Sequence, residues 1–520
     1  MGARPWVWLC LASGAVGALT DASSTMTLVE TIPLRGMDEL TLTPGAVHTW
    51  EAQAKLASGA TFSLDVSFMY ENLLAESDVK SSAYFSESLE DLGAARGRAV
   101  FEALTRAVDR GVRVRILGGG GIGGGTANST LVRRLVAKRP DLVRYAEWDP
   151  SGWYGGGIMH MKLWVADGRS TYVGSANMDW ASLAQVKEFG VLVDDPGVGR
   201  DATRLFDAFW AMATADADAV VAFDPRVAHD RTVPRWSSLV DAEARAADPL
   251  AAFATPWNLS RPMAVGGASC FVAASPPEVV GRLGRLDDEA NLVATIDGAQ
   301  ETLSLAVMDF LPASAYAQAD AGVVFAWPAL SDATARAVSA RGVRARLLVS
   351  WWPNSDPAAL AYLAGLQRTA NSCHFQYAPC AKNASLDVKI FLLPGWDALA
   401  TYPTAYAPGT NGTYPAYTRV AHGKVMISET RANIGTSNWQ WGYMYETAGA
   451  SFNTDDAALT ATLQAAFDRD WNSSYALPLD AFLADVGAAA CRGRSAEAGK
   501  DGGPSDVSHC EAVLRSLARS

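Results

Sequence analysis

The sequence predicts an α/β fold in which one domain is used twice, the copies related by a pseudo-twofold and meeting at a shared site. Three observations predict it. Arg110-Gly-Val-Arg-Val-Arg-Ile-Leu117 returns as Arg341-Gly-Val-Arg-Ala-Arg-Leu-Leu348, Phe206-Asp-Ala-Phe-Trp210 returns as Phe467-Asp-Arg-Asp-Trp471, and His160-Met-Lys162 returns as His422-Gly-Lys424. The offsets are 231, 261 and 262 residues, so the copies agree except for about thirty extra residues between Val349 and His422. Helices interleaved with strands in both copies give the α/β class.

In the first copy residues 21–47 read as extended, followed by a helix over Trp50 to Leu56 and a strand over Thr61 to Tyr70, in which Phe62, Leu64, Val66 and Phe68 alternate. A helix from about Gly93 to Arg110 stops at Gly111 and leads into the strand Val112 to Leu117. Gly118 to Gly125 holds seven glycines in eight residues; lacking the Gly-Lys-Ser/Thr of a P-loop, it reads as a flexible loop. A motif strand near Leu163 to Val165, the strand Val186 to Val193 and a helix from about Val198 to Ala213 complete the copy. The second copy repeats the order as helix Asp288 to Ala299, strand Thr302 to Phe310, helix Asp332 to Arg341 and strand Val343 to Val349. The expected division is a signal at 1–18, a first domain at 28–213, linker and peripheral cover at 214–285, a second domain at 286–492 and a polar tail at 493–520.

Length and composition bound the function. At 520 residues with 49% hydrophobic and 19% charged residues, the chain can fill two ordinary cores. A net charge of -12 excludes a whole-surface electrostatic grip on nucleic acid, so a polyanion must be held in a local cleft. Arg4, the apolar run Trp6 to Ala18 and the small residues Val16-Gly17-Ala18 read as a signal peptide, too short to span a bilayer comfortably; no later stretch looks transmembrane. Sequons at Asn128, Asn258, Asn383, Asn411 and Asn472 suit a secretory glycoprotein. With Cys10 removed in the signal, Cys270, Cys373, Cys380, Cys491 and Cys510 allow at most two intrachain bridges. Cys373 and Cys380 are the expected local pair, and no spacing is a zinc signature.

The chemistry concentrates in His160-Met-Lys162 with Asp167, followed by Gly174-Ser175-Ala-Asn177, and in His422-Gly-Lys424 with Glu429, followed by Gly435-Thr436-Ser-Asn438. Alternation puts imidazole and ammonium on one strand face, and the Gly-Ser/Thr-x-Asn turn delivers a hydroxyl and a carboxamide beside them. These groups suit a phosphodiester. One neutral imidazole attacks phosphorus while the other, protonated, donates to the departing oxygen, and the lysines and amides stabilise developing charge without a metal or other cofactor. The near-symmetric motifs leave open which histidine does which. Ser175 and Thr436 serve as added donors or as turn stabilisers. His48, His229, His374 and His509 lie in no repeated context, and Trp180, Trp439 and Trp441 read as packing around the site.

These motifs resemble the two H-x-K-x4-D signatures of the phospholipase D superfamily, and more closely phospholipase D family members three and four, the lysosomal 5′-exonucleases. The likeness rests further on Leu28-Val-Glu-Thr-Ile-Pro33, on Gly174-Ser-Ala-Asn-Met-Asp-Trp180 running into Val186-Lys-Glu-Phe-Gly190, and on Gly435-Thr-Ser-Asn-Trp439 running into Glu446-Thr-Ala-Gly449; Glu429 for aspartate also fits that branch. The resemblance implies two phospholipase D-like α/β sandwich domains with the active site at their interface. It assigns His160 as nucleophile and His422 as acid and base, with Glu188 and Glu446 as carboxylates orienting the imidazoles. Asp167 and Glu429 are expected to tie down the motif turns. In the family the cysteine matched by Cys491 pairs with one standing where this chain has Trp351, so its partner here is open, with Cys510 a candidate. The family carries a membrane anchor where this sequence reads as a cleaved signal, with an uncleaved anchor as the alternative.

The resulting expectation is a 5′-exonuclease on single-stranded DNA or RNA at acidic pH, in a lysosome-like lumen or outside the cell. The alternative is a phospholipase D, lysophospholipid phosphodiesterase or transphosphatidylase acting on phospholipid, and a homodimer is left open. Tyr316, in the loop beyond Leu311-Pro312, is the expected platform for the terminal base.

Overall fold

In the computed structural model the described residues are 24–79, 88–120, 125–150, 156–214, 249–314, 326–352, 355–356, 358–372, 384–395, 414–415 and 417–484. They form two mixed sheets. The first runs, across the sheet, Val47–His48, Thr25–Thr31, Glu188–Asp194, Ser170–Gly174, Leu163–Ala166, Ser63–Ser67, Arg113–Gly119 and Val143–Trp148. The second runs Met263–Val265, Ala268–Ser275, Gly449–Thr454, Ala432–Gly435, Lys424–Ser428, Thr302–Val307, Arg344–Ser350, Ser385–Phe391 and Ala476–Pro478. Seven successive strands correspond, with the same sense of pairing: four antiparallel junctions followed by two parallel ones. The predicted duplication is thus present strand for strand.

Local signals account for the elements. Gly93 (φ 94°) precedes the helix Ala94–Asp109 and Gly111 (φ 92°) follows it, both in the left-handed region where a Cβ is penalised. The Asp287 carboxylate accepts from Ala290 N and starts the helix Asp288–Gly298. Each sheet carries helices on its outer face over its own apolar core, as where Leu56, Val100 and Leu104 meet Leu64 and Val66. A third core lies between the sheets, where Leu163, Val173 and Val191 meet Val425, Ile434 and Phe452. Arg115 and Arg346, matched on the parallel strands, face the helices Pro196–Thr214 and Ala457–Asn472. Arg115 lies 4.9 Å from the Phe206 ring and pairs with Asp207, while Arg346 lies 4.9 Å from the Phe467 ring and pairs with Asp468.

The assignment of 214–285 as linker and cover requires correction. Met263–Val265 and Ala268–Ser275 are strands of the second sheet, and Ala268–Ser275 pairs with Gly449–Thr454 as Thr25–Thr31 pairs with Glu188–Asp194. The second domain therefore begins well before residue 286. Six consecutive residues, Cys270 to Ser275, are buried, so the apolar-polar alternation that betrays a half-exposed strand is missing. The helices Thr130–Lys138 and Ala358–Ala370 and the outer strands Val143–Trp148 and Ser385–Phe391 complete the two copies.

Among the described residues no helix is long and apolar enough to cross a membrane. The signal, the tail, Tyr316, Cys373, Cys380, Asn383 and Asn411 lie outside the described residues. Asn128 and Asn472 are exposed, and the Asn258 carboxamide accepts from Ser260 and Arg261. Cys270 is a buried free thiol against Thr454.

Candidate active site

His160 and His422 each stand just before a motif strand, and each is anchored by the opposite half. His160 N donates to the Ala448 carbonyl (3.0 Å) and His422 N to the Lys187 carbonyl (2.7 Å). The two rings come face to edge across the interface with centroids 6.2 Å apart. Each lysine folds back along its strand: Lys162 Nζ donates to the His160 carbonyl and Lys424 Nζ to the His422 carbonyl. The six motif residues His160, Lys162, Asn177, His422, Lys424 and Asn438 are all buried.

Beyond this frame the halves differ. The His422 Nδ1 lies 2.9 and 3.0 Å from the two oxygens of Glu188, which also accepts from Ser175 Oγ. Glu188 thus serves the histidine of the other copy. Burial would raise its pKa, but His422, Lys424 and the Ser175 hydroxyl together hold the carboxylate below its usual range. His160 has no such partner: its Nδ1 has no hydrogen-bond partner among the described residues, and its ring meets Tyr443 edge-on at 5.0 Å.

The expected equivalence of Glu188 and Glu446 is corrected by the strand register. Phe189 O accepts from Ser175 N as Ala450 O accepts from Thr436 N, which places Gly449 opposite Glu188. No longer side chain fits at Gly449, where an added Cβ would collide with Ser437 Oγ and Ser275 Oγ. Glu446 sits three residues earlier, buried, its carboxylate against the backbone of Gly156 on the approach to His160.

Two residues passed over in the sequence complete the half-sites. The Tyr70 phenol lies beside Asn177 and 3.5 Å from Asp179, whereas at the corresponding position Asp309 accepts from Asn438 Nδ2 at 2.8 Å. The available signal was the aligned methionine before each, Met69 and Met308. Asp167 and Glu429 lie at the far ends of the motif strands from the histidines. Asp167 accepts from Thr61 N and Oγ1, Phe62 N and Ser63 N, while Glu429 accepts from Gln300 N and Thr302 N. Ser175 and Thr436 make matching contacts, accepting from Phe189 N and Ala450 N.

The electrostatics follow from burying four cationic or titratable groups together. Burial takes the His160 imidazole well below its ordinary pKa, and Lys162, Lys424 and His422 push the same way. Burial brings His422 down to about 4, opposed by Glu188 and reinforced by the lysines. Burial likewise lowers Lys424 to about 7 and takes Lys162 well below its ordinary value. An anion entering among them reverses each of these shifts, so the cluster is tuned for negative charge.

One further cluster fixes the Glu188 strand. Lys187 Nζ lies 2.9 Å from Glu30 and 3.3 Å from Asp470, and Arg469 pairs with both carboxylates; the Lys187, Glu30 and Asp470 side chains are at most 3% exposed. Glu30 and Lys187 come from the first half, Asp470 and Arg469 from the second. Burial alone would raise the Glu30 pKa, but Lys187 and Arg469 hold it far below the usual carboxylate range.

Comparison with known proteins agrees with this geometry. Residues 238–395 match the family model described as PLD3/4, PLD-like domain, and residues 80–210 match that described as cardiolipin synthase, PLD-like domain. The 5'-3' exonuclease PLD3 of Bos taurus is 31% identical over 477 residues, covering 89% of this chain and 82% of its own. A probable phospholipase D of Caenorhabditis elegans, F09G2.8, is 31% identical over 87% of this chain and 70% of its own, and the human 5'-3' exonuclease PLD4 is 29% identical over 88% and 79%. With its two facing His-x-Lys half-sites, the chain belongs to the phospholipase D superfamily, in the branch that holds PLD3 and PLD4, and is a phosphodiesterase.

Proposed function

We propose that the chain is a metal-independent 5′-exonuclease on single-stranded DNA or RNA, acting through a phosphohistidine at acidic pH in the lumen of a lysosome-like compartment or outside the cell. The carrying observation is the pairing of unlike histidines 6.2 Å apart, one bonded to a carboxylate and one not. Without a carboxylate on Nδ1, His160 is the group that stays neutral and attacks phosphorus. With Glu188 on Nδ1, His422 is the group that holds a proton and gives it to the ester oxygen as the P–O bond breaks. Water then attacks the phosphohistidine, His422 takes its proton, and the P–N bond breaks to release the phosphate end. Lys162, Lys424, Asn177 and Asn438 hold the non-bridging oxygens, and the two ammonium groups supply the charge that a metal supplies elsewhere.

The reaction needs His160 neutral and His422 charged together. Both imidazoles are lowered in pKa, and Glu188 opposes the shift in His422 alone, so this microstate is favoured on the acid side of neutrality once the anionic substrate lifts both. The expected pH profile is a bell centred below pH 7. A second reading, a phospholipid diesterase, is favoured by the likeness to the nematode protein of that name. Purified protein incubated at pH 5 with end-blocked single-stranded oligonucleotides, with and without EDTA, and beside phosphatidylcholine, tests both. Digestion from a free 5′ end, indifferent to EDTA, is expected. Chelator-sensitive digestion overturns the metal-free scheme, and hydrolysis of the lipid alone overturns the nuclease reading.

A further inference from the structure

The cradle just described accounts for the phosphate and leaves the base unaccounted for. Trp352 follows the strand Arg344–Ser350, and its ring lies 6.0 Å from that of Tyr417 at a 56° tilt. Tyr417 is 54% exposed, one of four large hydrophobic side chains so placed among the described residues. Trp352 packs on the buried trio Val186, Met308 and Val420. Met308 Sδ in turn lies 3.9 Å from both Lys424 Nζ and Asn438 Nδ2. Trp352 is thus linked to the phosphate cradle through the apolar trio that includes Met308, and Tyr417 stands on its other side.

The backbone just beyond Tyr417 is pinned by the first half. Tyr417 and Arg419 adopt left-handed backbone (φ 57° and 56°), which non-glycine residues occupy only when surrounding contacts enforce it. Those contacts come from the first half: Arg419 N donates to the Gln185 carbonyl, its guanidinium donates to the Arg35 carbonyl, and Lys187 N donates to the Val420 carbonyl. The segment runs straight into His422. An exposed aromatic beside an anion cradle is the arrangement by which single strands are held without sequence preference. With a net charge of -12, the protein surface offers no general electrostatic substitute for such a hold.

We propose that Trp352 and Tyr417 form a stacking platform for a nucleobase of the single strand, on the side of the scissile phosphate that departs with the oxygen protonated by His422. The inference rests on the nuclease reading and adds the site that holds the second nucleotide.

The test uses the full-length protein and three oligonucleotides: intact, abasic at the first nucleotide, and abasic at the second. Tyr417→Ala and Trp352→Leu should each raise KM on the intact strand about tenfold, as loss of one stacked base implies. The increase should persist on the strand abasic at the first position and vanish on that abasic at the second, and Tyr417→Phe should restore wild-type KM. Because Tyr417 is exposed, its variants stay interpretable if Trp352→Leu fails to fold. An active nuclease whose KM is unmoved by Tyr417→Ala, or moved equally on all three strands, overturns the platform alone. Hydrolysis of phosphatidylcholine with every oligonucleotide left intact overturns the nuclease reading and the platform with it; Tyr417→Ala weakening only the lipid reaction would assign the pair to an acyl chain.

Discussion

The two half-sites began as copies and now differ in what stands behind each histidine. Behind His422 is an ionised Glu188 locked by Ser175; on the other side the matching strand position is Gly449, and His160 meets the edge of Tyr443 instead. The difference teaches that a symmetric motif need not give symmetric chemistry. A two-step displacement needs one histidine that leaves its proton elsewhere and one that carries it, and the asymmetry lies in residues outside the motif.

The largest expected effect separates the histidines themselves. His160→Ala and His422→Ala should each lower kcat on the order of a thousandfold or more. Only His422→Ala should accumulate a phospho-enzyme, detected by mass spectrometry on a substrate with a good leaving group. Phosphate trapped on His422 in the His160 variant would reverse the roles.

Next in size is Glu188→Gln, expected to cost about a hundredfold because the imidazole loses the partner that fixes its tautomer and charge. The sign of the pH shift follows: Glu188 raises the His422 pKa, so its removal lowers that pKa, and the upper limb of the pH profile moves to lower pH. Glu446→Gln should cost less than about tenfold and leave that limb in place. Equal losses and equal shifts in the two variants would erase the asymmetry.

A smaller effect distinguishes the amide supports. Asp309→Asn should lower kcat about threefold to tenfold by loosening Asn438, with KM nearly unchanged. Tyr70→Phe should do less, since Tyr70 stands beside Asn177 as a neutral phenol and not as a carboxylate.

Least of all in activity, but measurable in stability, are the motif acids. Asp167 accepts from the Thr61 hydroxyl as well as from three backbone N–H groups, whereas Glu429 accepts from backbone alone among the described residues, so Asp167→Ala should cost about 1 to 3 kcal/mol in urea unfolding and Glu429→Ala less. Asp167 has a lowered folded-state pKa, so its contribution is present above the unfolded value near 4 and is lost as pH falls through the folded one. The gap between wild type and variant should close in acid; a gap that persists would place the effect in packing.

Much of this is legible in the sequence. Repeated runs such as Arg110 to Leu117 fix strands because they recur with their helical stoppers, and His-x-Lys and Gly-x-x-Asn name the cradle by chemistry. What escaped had a physical reason in each case. Ala268–Ser275 is buried on both faces and so lacks periodicity. Glu188 was recognisable as an orienting carboxylate, yet which histidine it orients is set by how two sheets face each other. Equating Glu446 with Glu188 failed because counting from the histidines ignores the hydrogen-bond register, which lands on Gly449. Tyr70 and Asp309 share no residue type, so their equivalence emerges only from position.

The Glu30, Lys187, Arg469 and Asp470 cluster has a consequence for how the molecule can be assembled. The strand and helix registers map these four residues onto Ala274, Ala448, Ala208 and Phe209, all of which lie in the apolar layer between the sheets. One flank of the seam is therefore ionic and the other is oil. Two first halves placed together would bury Glu30 and Lys187 against Ala208 and Phe209 on both flanks, and two second halves would strand Arg469 and Asp470, each losing the opposite-half partners at a cost of several kcal/mol. The halves are complementary to each other and not to themselves, so neither copy can be replaced by a duplicate of its twin.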